Sequence, residues 1–304
     1  MSDAVDNMKT SLRAFKRYVP SDLVAELITL HKEAILGGER RDLSILFSDI
    51  EGFTTWSEKL EPEQLIQVMA GYFSGMTRII HAHHGTVDKY IGDSIMAFWG
   101  APAPLDDHAK QAALAALECV AFQQVFNREL VAAGLSGLNT RFGINTGEVL
   151  VGNVGYNERL NYTVMGDHVN LASRLESLNK LYATRIIISE NTRLRLGDSF
   201  ITRPVDSVVV KGKTEGIAIH ELLATAPDRF ATADTNLVAL SRQSVIAFEL
   251  YGKREWAKAS EMYAKIVANF PQDVPSKLMH ERCLKFMVEA PGPDWQGVIV
   301  LHEK

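Results

Sequence analysis

Residues 86–100, TVDKYIGDSIMAFWG, hold two β-prone apolar runs with only Gly92 and Asp93 between them. A two-residue gap of this type leaves room for a tight turn and nothing longer, so the runs are expected to pair as an antiparallel hairpin. Other segments share that character. Residues 43–50, LSILFSDI, form a short β-like run closed by Gly52, and residues 140–155, TRFGINTGEVLVGNVG, read as strand, turn and strand. Residues 185–189, 205–210 and 217–222 read as further strands, the last two on either side of KGKTEG. Helical periodicity covers residues 55–84 with Pro62 at its start, 106–133 from an Asp cap to Gly134, and 167–181. Hairpins and helices are mixed, and the order is not a strict strand–helix alternation. The expected fold class is therefore α+β, a largely antiparallel sheet backed by helices, and not a doubly wound dinucleotide fold.

The flanks differ from this middle. Residues 1–39 read as a helical lead-in, with Leu23, Leu27 and Leu30 on one stripe until Gly37 and Gly38 break it. Residues 40–222 carry the α+β pattern. Residues 223–304 start with a polar linker. A helical period over 238–267 then sets Trp256, Ala259, Tyr263 and Ile266 on one face, and a second helix is expected over 275–287. The pair resembles one tetratricopeptide unit. One such unit cannot bury its own face, so it is expected to pack on the main domain or on a partner.

Bulk properties narrow the function. A net charge of −5 over 304 residues argues against a general nucleic-acid surface, which needs clustered Lys and Arg. Two cysteines are too few for a disulfide framework or a cysteine metal site. The first ten residues are polar and acidic, unlike a secretory signal, and no run reaches about 18 apolar residues without charge. A cytoplasmic chain is expected, alone or as the cytosolic part of a longer protein.

Two carboxylates carry the first chemical signal. Asp49 closes an apolar strand beside Gly52, and Asp93 sits at the tip of the hairpin. Each alone is equally a turn or capping residue. If the two strands are neighbours, the pair faces one place and suits divalent cations near a phosphate. His81, His83 and His84 look like a metal cluster, but no acidic or cysteine partner is evident in the sequence nearby, and a helix C-terminus favours histidine on electrostatic grounds. Trp56 and Trp99 are expected to be core or interface anchors.

FSDIEGFT, KYIGDSIMAFWG, GINTGEVLVGNVG, GDHVNLASRLE and VVVKGKTEG, in that order, resemble the signature segments of class III adenylate and guanylate cyclases over about residues 38–222. The resemblance implies a ferredoxin-like core with added strands, and a head-to-tail homodimer with active sites shared between chains. It implies that Asp49 and Asp93, with the backbone carbonyl of Ile50, hold two Mg²⁺ or Mn²⁺ ions. Lys89 falls where adenylate cyclases read the purine edge, and Thr163 falls on the second base-reading position. Many family members have Asp at that second position. The Lys–Thr pairing resembles soluble and cyanobacterial adenylate cyclases, several of which respond to bicarbonate, so bicarbonate regulation is an expectation too. Asn170 is matched to a ribose-orienting residue, Arg174 to a stabiliser of charge on the transferring phosphoryl group, and Lys211 to a contact with the terminal phosphates, with Lys213 as its near neighbour. The implied activity is conversion of ATP to 3′,5′-cyclic AMP and pyrophosphate. The alternatives are guanylate cyclase activity and a catalytically silent nucleotide-binding regulatory module.

Overall fold

The structure, a computed structural model, describes residues 35–156, 159–209, 216–226, 235–295 and 297–300. The hairpin forms as expected. Strands β2 (Thr86–Ile91) and β3 (Ser94–Trp99) pair antiparallel with Ile91 opposite Ser94. Gly92 in the turn has φ 63°, in the left-handed region that a residue without Cβ enters freely. β3 pairs antiparallel with β1 (Gly37–Ile50), and β1 pairs antiparallel with β4 (Thr140–Tyr156) from Gly37 opposite Asn153 to Ile50 opposite Thr140. The other edge of β4 holds two neighbours. β6 (Ile186–Ser189) runs parallel beside residues 142–144, and β5 (Arg159–Met165) runs antiparallel beside residues 150–156. The sheet continues through β8 (Ile217–Thr225) and β7 (Phe200–Val209) to the short β9 (Ile299–Val300).

Alternation along the strands divides the interior into two layers. Leu46 and Ile50 of β1, Ala97 and Trp99 of β3, and Phe142 and Ile144 of β4 pack with helices α2 (Pro62–Ala82) and α3 (His108–Ala132). Tyr72, Met76 and Ile80 line α2, and small alanines such as Ala112 and Ala116 let α3 lie close. Leu43 and Ile45, with Met96 and Phe98, point the other way, towards Val169 and Ala172 of α4 (Asp167–Tyr182). Two short helices, α1 (Phe53–Ser57) and α5 (Glu190–Leu196), complete this part. The sequence pattern did not reveal α5. Its first turn is capped by the Ser189 side chain, which accepts from the Thr192 N–H.

Three expectations need correction. Residues 140–155 are not strand, turn and strand; β4 is continuous to Tyr156. The glycines that suggested a turn are close-approach positions. A Cβ on Gly143 would lie 2.1 Å from the Glu176 nitrogen and 2.4 Å from the Ala172 oxygen, and one on Gly147 would lie 2.4 Å from His168 Nδ1. Both glycines therefore let α4 rest on the strand. Asp107 stands at the start of α3 but does not cap it, because its carboxylate accepts from the Gln111 side chain at 2.8 Å. The expected helix over 238–267 is two helices, α6 (Thr235–Gly252) and α7 (Trp256–Asn269). The chain breaks after Gly252 with Arg254 at φ 62°, and the Arg254 guanidinium donates to the carbonyls of Gly292 and Pro293 while lying over the Trp295 ring.

Helix α8 (Val274–Val288) follows, and the C-terminal helices pack on the sheet. Arg203 of β7 meets Asp273 at 2.6 Å, and Arg282 of α8 forks onto Asp206 with two contacts of 2.9 Å. Asp206 is fully buried, and the Tyr182 hydroxyl of α4 donates to it at 2.5 Å. The expected helical lead-in over residues 1–39 lies almost wholly outside the described residues, and its last three residues, 37–39, belong to β1.

The close approach of α4 is testable. Gly143→Ala places a methyl group against helix backbone that has no rotamer to give way. Overpacking of this kind costs about 1–3 kcal/mol. A fall of that size in the free energy of unfolding, measured by urea denaturation, is the expected outcome; unchanged stability would show that α4 is not in tight contact there.

Candidate active site

Asp49 is the penultimate residue of β1, on the face opposite its buried neighbours Ser48 and Ile50, and Asp93 is the second residue of the hairpin turn. The pairing of Ser48 with Ile95 brings the two strand ends side by side. The Ile50 N–H donates to Asp93 Oδ2 at 2.9 Å, and Ser94 Oγ donates to Asp49 Oδ1 at 3.1 Å. The structure thus brings Asp49, Ile50 and Asp93 together. Burial raises the Asp93 pKa first; the Ile50 N–H opposes this, and the negative charge of Asp49 adds to it.

Two residues that the sequence reading missed stand behind this pair. Arg141 is the register partner of Asp49 on β4, and its Nη2 donates to Asp49 Oδ2 at 2.9 Å. On the other side its Nε lies 3.3 Å from the carboxylate of Glu176 on α4. Burial pushes the Glu176 carboxyl up to about 7, helped by the charge of Asp49 and opposed by Arg141. The available signals were an arginine opening an otherwise apolar strand and a glutamate on the apolar face of α4. Neither signal names a partner.

Lys89 and Thr163 also meet. Lys89 Nζ donates to Thr163 Oγ1 at 3.4 Å, although they are 74 positions apart in the chain. β5 reaches this place because the sheet coils: Val164 shares one buried cluster with Met96 and Phe98. A third residue, Asp88, was not anticipated. Its carboxylate accepts from the Thr163 hydroxyl and lies 3.3 Å from Lys89 Nζ. The register of β2 against β3 slips between Val87 and Lys89, so Asp88 is the extra residue of a bulge. Strict alternation would send Asp88 and Lys89 to opposite faces, and the bulge lets both reach Thr163.

Asn170 and Arg174 lie on the outer face of α4, and their side chains have no hydrogen bond or ion pair among the described residues. Glu176, two positions and about 200° round the helix from Arg174, is buried against Arg141. The structure therefore does not bring Asn170 and Arg174 to the aspartates of their own chain. Lys211 and Lys213 lie outside the described residues. His81 bonds the Gly85 carbonyl and His83 sits between Gln111 and Glu118, so the histidines have separate partners. Trp99 is fully buried in the main core, and Trp56 packs against it. No helix among the described residues is long and apolar enough to cross a membrane.

The family model described as the adenylate and guanylate cyclase catalytic domain matches residues 38–223. The chain belongs to this family. It is 36% identical over 226 residues to adenylate cyclase 1 of Rhizobium meliloti, a match covering 73% of this chain and 34% of the relative. It is also 36% identical over 231 residues to an adenylate cyclase of Anabaena cylindrica, covering 72% of this chain and 44% of the relative. The chain thus spans less than half the length of either. Among solved structures it is similar to the guanylyl cyclase Cya2, with a TM-score of 0.59, 36% identity, and coverage of 65% of this chain and 99% of that one. The adenylyl cyclase CyaB from P. aeruginosa gives a TM-score of 0.56 at 36% identity, with coverage of 65% and 100%. The neighbours fit the expected cyclase fold and its antiparallel-rich sheet. They include both activities at equal identity, so base choice has to come from the residues.

Membership of the family implies dependence on divalent metal ions, and the donor set fits. Asp49 and Asp93 offer the oxygen ligands that hard cations take, and their mutual repulsion is what a bound cation relieves. Among the described residues no group of three His, Cys, Asp or Glu forms an all-protein cage.

Glu176 gives a pH test. Its pKa is raised from 4.5 to about 7 in the folded chain, so the folded state holds its proton more tightly than the unfolded state. Stability from this group is present below pH 4.5 and is lost as pH rises to about 7. The metal-free wild type is expected to lose on the order of 2 kcal/mol from this group across that window. Glu176→Gln removes the titration, so denaturation at pH 5 and pH 8 should show a flatter dependence in the variant; equal slopes would refute it.

Proposed function

We propose that this chain is an adenylate cyclase, converting ATP to 3′,5′-cyclic AMP and pyrophosphate. The observation that carries the reading is the meeting at one strand end of Asp49 and Asp93, 44 positions apart in sequence. Asp49 and Asp93, assisted by the Ile50 carbonyl, would hold two Mg²⁺ or Mn²⁺ ions. When bound, these ions favour ionisation of the ribose 3′-hydroxyl and neutralise the phosphates. The hydroxyl oxygen bonds to the α-phosphorus in line as it gives up its proton, and the bond to pyrophosphate breaks. Arg174 steadies charge on the phosphoryl group, Asn170 orients the ribose, and Lys211 contacts the terminal phosphates. Positioning and electrostatics supply the rate, with no covalent intermediate.

Lys89 and Thr163 read the base. The contact between them supports a shared task, and a lysine donor beside a hydroxyl acceptor suits adenine. The guanylate reading draws on the likeness to Cya2, and the choice between ATP and GTP is the direct comparison.

Two chains are needed for a whole site. The outward face of α4 carries Asn170 and Arg174 away from the aspartates of the same chain, which supports a head-to-tail homodimer with two equivalent sites. Residues 40–222 form the catalytic unit on this reading, and the C-terminal helices brace its sheet.

The test is an assay of cyclic product from ATP and GTP, each with Mg²⁺ and Mn²⁺, over a range of protein concentrations. Metal-dependent turnover of ATP is expected, with a rate per chain that falls on dilution. Asp93→Ala should lose about 100-fold or more in turnover while remaining a folded dimer. Appreciable metal-dependent turnover by that variant would sink the assignment. Bicarbonate activation, proposed from the Lys89–Thr163 pairing and the subgroup it resembles, predicts a rise in rate on titration at fixed pH; a flat response removes it.

A further inference from the structure

Three polar side chains, Asp88, Lys89 and Thr163, form a set whose hydrogen-bonding capacity can be counted, with the Val164 N–H as a further donor to Asp88. Thr163 has one O–H and two lone pairs. Its O–H is given to Asp88 Oδ2, and one lone pair accepts from Lys89 Nζ at 3.4 Å. One lone pair remains. Lys89 has three N–H donors, of which one faces Thr163 and one faces Asp88 Oδ1 at 3.3 Å, and one remains. The Asp88 side chain is only 2% exposed, so it is out of reach of a base. Burial raises its pKa, against the Thr163 hydroxyl, the Lys89 ammonium and the Val164 N–H, which favour the ionised form. In the ionised form it accepts from Thr163 and donates nothing.

We propose that Asp88 is a specificity-determining residue that acts through Thr163: by taking the hydroxyl proton, it leaves Thr163 able only to accept from the base. The inference rests on the reading of Lys89 and Thr163 as the base-facing pair. Adenine carries an amino group at its 6-position and an acceptor at N1; guanine carries a 6-oxo group and an N1–H. With its proton committed to Asp88, Thr163 accepts from the 6-amino group while Lys89 donates to N1. Against the 6-oxo group it has no proton to offer, and two lone pairs face each other. A site that leaves buried polar groups unpaired rejects the wrong ligand far more strongly than one that merely fits it less well. A threonine whose proton was free would serve either base, so the residue type alone does not select adenine. The bulge at Asp88 is what makes the arrangement available, since it brings two consecutive side chains to one hydroxyl.

Asp88→Asn keeps the shape and supplies an N–H that can donate to Thr163, releasing the hydroxyl proton towards the base. The measurement is kcat/KM for ATP and for GTP in the wild type, Asp88→Asn, Thr163→Val and the double variant. Asp88→Asn is expected to raise the GTP-to-ATP ratio by roughly 10-fold. In the Thr163→Val background the same substitution should leave the ratio unchanged, because the hydroxyl through which it acts is gone. Equal losses for both nucleotides in Asp88→Asn would mean that Asp88 only supports the pocket, and would overturn the proposal. A ratio shift that persists without the Thr163 hydroxyl would overturn it as well. If Asp88→Asn does not fold, Thr163→Val alone decides: it should narrow the preference for ATP by a similar factor, and an unchanged ratio refutes the idea. A wild type that makes no cyclic product from either nucleotide refutes the cyclase reading itself, and the role of Asp88 falls with it; a wild type active on ATP with an indifferent Asp88→Asn refutes the inference alone.

Discussion

The antiparallel pairing of β1 with β4 is the constraint on which the rest of the structure depends. It runs over the whole of β1, from Gly37 opposite Asn153 to Ile50 opposite Thr140. Because side chains alternate with period two, that one register assigns every neighbour to a layer. Leu46, Ile50, Phe142 and Ile144 go to the layer of α2 and α3. Asp49, Arg141, Gly143 and Gly147 go to the layer of α4, where the first two pair and the glycines admit the helix. A slip by one residue would bury Asp49 among the apolar side chains of α2 and α3 and expose Ile50 in its place.

The same register concentrates charge. Asp49, Asp93 and Glu176 converge, with Arg141 between two of them. A buried carboxylate is unfavourable unless a cation or hydrogen bonds answer it, and Arg141 answers only part of this cluster. The raised pKa values of Asp93 and Glu176 are the mark of that imbalance. On the proposed reading, a divalent ion next to the aspartates would supply the missing positive charge.

Away from the site, buried ion pairs hold the helices to the sheet. Asp206 is shared by Arg282 of α8 and Tyr182 of α4, and Arg203 is shared by Glu221 and Asp273. These pairs join the C-terminal helices to the strand next to the one that carries Ile219 in the α4 layer. The apolar face that one helical pair cannot bury alone is covered by α6, α7 and α8 packing together, with α6 lying on β7.

The sequence by itself determined the local pieces: the hairpin at Gly92 and Asp93, the helices over 62–82, 108–132 and 167–182, the antiparallel-rich class and the carboxylates Asp49 and Asp93, while Lys89 and Thr163 were singled out by the family resemblance. Turn chemistry and periodicity are short-range, so they are legible from neighbours in the chain. Gly143 and Gly147 were misread because a glycine that permits a turn and a glycine that admits a helix look alike in sequence. Arg141, Glu176 and Asp88 were invisible for a related reason. Their significance lies in partners 35 to 92 positions away by the contacts that join them, and a single sequence carries no record of such pairs. Only the tertiary structure decided that Arg141 stands between two carboxylates, and that a bulge turns Asp88 towards Thr163, because register and sheet coiling set which side chains meet.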